Sequence, residues 1–113
     1  MIETVHSPIQ QNTRTIETVV SAESILINHM IMPTGEGLPE HYTNAHVNMV
    51  VLRGTMNLRL GDQVSVDYQA GQIIEIPNNT KMNVNNFSDG TLEFYVVKTP
   101  NPNWPGKGEK KNG

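Results

Sequence analysis

The chain is a succession of short apolar runs, each cut off by turn-forming residues before helical periodicity can establish itself. The runs are TIETVVS (15–21), SILINHMIM (24–32), AHVNMVVL (45–52), TMNLRL (55–60), SVDY (65–68), IIEIP (73–77), KMNVNNF (80–86) and LEFYVVK (92–98). Between them stand PTGEG, with Pro33, Gly35 and Gly37, then LGDQ, AGQ, PNN and SDG. Glycine supplies positive φ, proline presets φ, and Asn and Asp bond their own backbone, so each break is a chain reversal with a mechanism. Gly61-Asp62 in LGDQ is a tight hairpin signal. No segment keeps apolar residues at i, i+3, i+4 and i+7, and no helix is expected. Strands at roughly ten-residue spacing predict an all-β sandwich or barrel.

A chain of 113 residues is long enough for one domain and one core. Residues 1–13 are polar and aperiodic and read as an N-terminal arm, 14–98 as the β-barrel domain, and 99–113 as a tail rich in Pro, Gly and Lys. The tail, TPNPNWPGKGEKKNG, cannot pair into a sheet and has little to bury, so it is expected to be flexible. Trp104 is the expected exception, an indole that packs on the body or on a neighbouring subunit. The formal net charge is -3 and the few lysines gather towards the end, which gives no basic patch for nucleic acid. No window approaches the roughly 20 apolar residues of a membrane span. The N-terminus lacks the basic and apolar regions of a signal peptide, and a cytoplasmic protein is the default expectation. The absence of cysteine excludes disulfides, thiolate zinc sites and a Cys nucleophile.

Two spacings carry more than composition does. Gly35 is followed after five residues by His41, then after one by Thr43, after three by Val47 and after six by Gly54. Gly71 is followed after five by Pro77, then after one by Asn79, after two by Met82 and after three by Asn86. A glycine between Leu52 and Thr55 suits a turn with positive φ, Gly71 allows a tight entry into IIEIP, and Pro77 can end that strand. Generic hairpin residues explain each position singly but not the joint spacing. Together the two spacings resemble the two motifs of the cupin superfamily, whose first runs Gly, His-x-His, Glu, Gly and whose second runs Gly, Pro, Gly, His, Asn. The frame residues Gly35, Gly54, Gly71, Pro77 and Asn86 fall in place, as does His41. The resemblance spans residues 20 to 98. It implies a single-domain cupin jelly-roll barrel, a double-stranded β-helix with an internal pocket, and a homodimer. The dimer has support in AHVNMVVL, which is apolar on both faces at Val50, Val51 and Leu52 and so is expected to be covered on both sides.

The departures from the family pattern concern chemistry. A metal-binding cupin takes ligands from the two histidines and the acid of the first motif and the histidine of the second, positions that here hold His41, Thr43, Val47 and Met82. Only His41 is a good ligand for a divalent first-row metal. Thr43 is a neutral hydroxyl, Val47 has no donor, and the Met82 thioether is soft. Catalytic zinc sites have three protein ligands, and non-haem iron sites two histidines and a carboxylate. His46 falls one residue out of phase: if Val47, Met49 and Val51 point inward, His46 and Asn48 point outward. A bulge could re-aim it, so His41 with His46 is the alternative metal pair. His29, among isoleucines, reads as a hydrogen-bonded core or interface residue, and His6 as solvated.

The same alternation gives the pocket its lining: Val47 and Met49 from one strand, Met82 and Asn86 from another, and His41 and Thr43 at the mouth. A mostly apolar cavity with a few polar handles is the usual make-up of a small-molecule site, and the methionines add adaptable surface. His41, with its near-neutral reference pKa, is the best general-base candidate. Glu36, Glu40 and Glu93 are weaker ones. The expected function is therefore a cupin barrel that binds a small molecule without a tightly held metal. The alternative is a metal-dependent cupin oxygenase, isomerase or lyase with a rearranged site at His41 and His46.

Overall fold

The computed structural model describes residues 1–105 and contains nine strands: β1 Thr15–Ala22, β2 Ile25–Met32, β3 His41–Tyr42, β4 His46–Arg53, β5 Thr55–Leu60, β6 Val66–Gln69, β7 Ile73–Ile76, β8 Lys81–Asn85 and β9 Leu92–Thr99. All described strand pairs are antiparallel. One sheet has the order β1-β2-β9-β4-β7 and the other β3-β8-β5-β6. Among the described residues there is no helix, and so none long and apolar enough to cross a membrane.

Period-two alternation builds the core. In β4, Val47, Met49 and Val51 are buried, and their cross-strand partners in β9 are Lys98, Val96 and Phe94. From the facing sheet come Met56 and Leu58 of β5 and Met82 and Val84 of β8, which close one continuous apolar cluster. At about 25 cal/mol per Å² of apolar surface removed from water, this inner layer is the main source of the fold's stability.

Each of the eight expected runs forms a strand, with ends within about two residues of those read from the pattern, the usual uncertainty of such boundaries. The ninth strand, β3, is two residues long and pairs His41 with Met82 and Tyr42 with Lys81. So short a segment carries no periodicity. Gly54 has φ +83, and a Cβ there would run into the Thr91 carbonyl, so the β4–β5 turn requires glycine. Asn79 stands where the resemblance places a second-motif glycine and has φ 63, a region that Asn tolerates better than most residues.

The two ends of the chain are tied to the barrel more closely than composition implies. In the N-terminal segment, the Ile9 amide donates to Glu17, and Arg53 donates to the Gln11 carbonyl and to the Asn12 side chain. At the other end Thr99 completes β9, and Asn101 is buried, donating through Nδ2 to Ser21 Oγ and the Ala22 carbonyl at 3.0 and 2.9 Å. Trp104 is half-buried. Of the tail 99–113 expected to be flexible, Thr99 and Asn101 are held by the barrel, and residues 106–113 lie outside the described residues.

Candidate functional site

Between the two sheets, at the end marked by β3, lies a cavity of about 260 Å³. Its walls are Met30, Val47, Met49, Val96 and Lys98 of the larger sheet, with His41 and Met82 of the smaller one and the loop residues Leu38, Pro39 and Thr43. The ladders explain the convergence. Val47 pairs with Lys98 and Met49 with Val96 across β4 and β9, while His41 pairs with Met82 across β3 and β8. Pro39 is exposed and also lines the cavity, which places an opening at that rim.

The polar groups have distinct duties. His41 donates from Nδ1 to the Pro39 carbonyl at 3.0 Å, which fixes the ring, and among the described residues Nε2 has no partner. Thr43 is 5% exposed and its hydroxyl is committed to backbone: it donates to the Pro77 carbonyl at 2.8 Å and accepts from the Thr80 amide at 2.8 Å. The Thr43 amide bonds the Thr80 carbonyl, and the Asn79 amide bonds the Thr43 carbonyl. Thr43 is thus a clamp that joins the first motif to the loop of the second. Lys98 is 4% exposed, and its ammonium donates to Asn44 Oδ1 at 3.0 Å. Burial pushes its pKa below the usual lysine value.

Five of the six residues expected to line a pocket, His41, Thr43, Val47, Met49 and Met82, meet at this cavity. Asn86 does not. It is fully buried, donating through Nδ2 to the carbonyls of Met32 and Gly90, and accepting at Oδ1 from the amide and hydroxyl of Ser88. Strand β8 ends at Asn85, so the alternation that would aim Asn86 inward stops one residue short. His46 also stands apart. It faces outward on β4 and meets Glu75 Oε2 at 2.7 Å on the surface, so no bulge brings it to His41. Lys98 is the residue that pattern reading passed over. It shares the parity of Leu92, Phe94 and Val96 on β9, although a lysine at a strand end reads as solvated.

A second cluster of ionisable groups lies on the outer face of the larger sheet. His29, fully buried, contacts Glu17 Oε2 through Nδ1 at 2.8 Å and Glu93 Oε2 through Nε2 at 2.6 Å. Arg53 Nε donates to the other Glu93 oxygen at 3.1 Å. An imidazolium donating from both nitrogens suits this arrangement. Glu17 is held below the usual carboxylate range, first by the Ile9 amide and then by His29. Glu93 therefore serves this network, on the opposite face of β9 from Lys98.

Residues 28–98, well over half of the chain, match the Cupin domain family. The chain belongs to the cupin family. An uncharacterised protein of Methanocaldococcus jannaschii is 41% identical over 90 residues, which is 80% of this cupin and 78% of that protein. A crystal structure from the same organism, of an RmlC-like cupin family protein with a double-stranded β-helix fold, superposes with a TM-score of 0.86 at 40% identity, covering 90% of this chain and 94% of that one. A cupin superfamily protein from Desulfitobacterium hafniense superposes at 0.70 with 13% identity, covering 82% and 83% of the two chains, a likeness of fold alone. The double-stranded β-helix expected from the two motifs is the fold of this cupin.

The metal that many cupins hold finds a poor donor set here. Of the four matching positions, His41 offers an imidazole, the Thr43 hydroxyl is already bonded to Pro77 and Thr80, Val47 has no donor, and Met82 offers a soft thioether. Among the described residues no group of three or more His, Cys, Asp or Glu gathers as metal ligands do. A buried ammonium in the same cavity would also repel a divalent cation. The residues do not fit the metal.

Proposed function

We propose that this cupin is a small-molecule-binding protein that uses the cavity between its sheets without a tightly held metal. The observation that carries the reading is the cavity itself: about 260 Å³, walled by valine and methionine, with His41 and Lys98 as polar handles. Ligand sites for drug-sized molecules occupy about 300–1,000 Å³, so the occupant is smaller. Methionines at three wall positions, Met30, Met49 and Met82, adapt to irregular shapes.

A metabolite panel read by thermal shift tests the proposal. A ligand that prefers the native state, at a hundredfold excess over its Kd, stabilises by about 2.7 kcal/mol. The wild type is expected to show a saturable rise in Tm with at least one small organic compound, and a cavity-filling Val96→Phe variant to lose it. A panel without effect on the wild type, or an undiminished rise in the filled variant, overturns the reading. Metal analysis of protein purified without a histidine tag is expected to find less than one equivalent. Stoichiometric metal that is lost on His41→Ala would establish the alternative, a metal-dependent enzyme.

The proposal includes a homodimer. On the outer face of the larger sheet Val50 pairs with Ile73, and Ile73 and the neighbouring Leu52 are 65% and 40% exposed, an apolar area that a second copy would cover. Sedimentation velocity is expected to give a species of twice the chain mass. A single-chain mass at micromolar concentration would refute the dimer.

A further inference from the structure

The cavity holds one group that its walls do not explain. Lys98 sits near the end of β9, flanked across the ladders by Leu26 and Val47, and is nearly inaccessible to solvent. Among the described residues no carboxylate pairs with it, and its ammonium has Asn44 Oδ1 as its described partner. Taking an ammonium out of water without a counter-charge is strongly unfavourable. A leucine or methionine would continue the inner face of Leu92, Phe94 and Val96 and stabilise the empty barrel instead. A negative charge brought into the cavity would relieve that destabilisation and keep the ammonium protonated.

Resting on the binding reading above, we propose that the occupant is a small carboxylic acid, its carboxylate on Lys98 Nζ and its apolar body against Met30, Val47, Met49, Met82 and Val96. An ammonium has three donors. Asn44 takes one and aims the head group, which leaves two for the carboxylate oxygens. A single buried cation matches a monoanion. A phosphate dianion would call for several further donors, and these apolar walls do not supply them. The volume selects acids of a few carbons or one small ring over extended chains. A carboxylate beside Lys98 would also restore its protonation against the lowering that burial causes.

Isothermal titration of the full chain tests the assignment with two pairs of nearly isosteric probes, isovalerate with isovaleramide and benzoate with benzamide. The acids are expected to bind the wild type about tenfold or more tighter than the amides, since a charge-assisted hydrogen bond is the main difference within each pair. Lys98→Met is expected to weaken the acids by about tenfold to a hundredfold and leave the amides unchanged. It is a volume-conserving change that removes a buried charge, so its apparent Tm is expected to equal or exceed that of the wild type, and a loss of acid binding cannot then be ascribed to unfolding. Amides that bind the wild type as tightly as acids, or acids that bind Lys98→Met as tightly as wild type, overturn the carboxylate assignment and leave the binding reading standing. Silence from all four probes at millimolar concentration also overturns it. The binding reading falls with it only if the metabolite panel is silent as well.

Discussion

Replacing His29 with leucine lowers the stability of this cupin by about 3 kcal/mol, because it strips a partner from two carboxylates at once. His29 is fully buried, between Glu17 at 2.8 Å and Glu93 at 2.6 Å. Removing one member of a buried ionic set costs more than the set contributes, since the remaining charges stay desolvated. The Ile9 amide on Glu17 and the Arg53 guanidinium on Glu93 soften the loss, which places it at the lower end of the usual range. Urea unfolding monitored by circular dichroism measures it. A companion variant, His29→Leu with Glu93→Met, recovers much of the loss by removing a stranded charge as well as its partner. If the single variant were as stable as wild type, the network would contribute nothing. The acid limb gives an independent check. The folded carboxyl of Glu17 lies below its ordinary value of about 4.5, so the stability it contributes is complete above that pH and is lost as pH falls further. In the leucine variant the share due to His29 disappears while the share due to Ile9 remains, so stability falls less steeply with acid.

Period-two alternation makes most of this architecture legible without coordinates. It places Val47, Met49 and Met82 inside and His46 outside, and Gly54, Gly61 and Gly71 mark turns between strands. Three features escape it, each for a physical reason. Lys98 obeys the alternation of β9, yet a lysine at a strand end reads as solvated. What buries it is the pairing of β9 with β2 on one side and β4 on the other. The partners His29 and Glu93 are 64 residues apart, and no local pattern reports a contact over that separation. The strand β3 is recognisable only through its pairing with β8, because two residues cannot show a period. The candidate site was therefore legible as a set of apolar walls with His41 at the rim, while its one buried charge was not.

Asn86 separates the fold-bearing residues of the second motif from those at the cavity, and its removal is expected to do the same in solution. Its side chain makes hydrogen bonds of 2.9 and 2.8 Å to the carbonyls of Met32 and Gly90, and accepts bonds of 3.0 and 2.6 Å from the amide and hydroxyl of Ser88. Its backbone exchanges bonds with Gly35 and Glu36. The residue thus joins three stretches: the end of β2, the turn that opens the first motif, and the loop between β8 and β9. Asn86→Ala leaves the backbone bonds but removes a donor from the Met32 carbonyl and the acceptor of the Ser88 amide, each worth about 1–3 kcal/mol when water cannot reach the group left behind, whereas the exposed Gly90 carbonyl keeps the Thr34 and Ser88 hydroxyls as donors. Partial rehydration of the more accessible Ser88 brings the expected total to about 2–3 kcal/mol, read as a lower urea midpoint with an unchanged m value. Ligand affinity, measured well below the lowered Tm, is expected to stay at the wild-type level, because Asn86 does not line the cavity. A variant that kept its stability but lost the ligand would return Asn86 to the pocket and contradict its role as a joint between the two motifs.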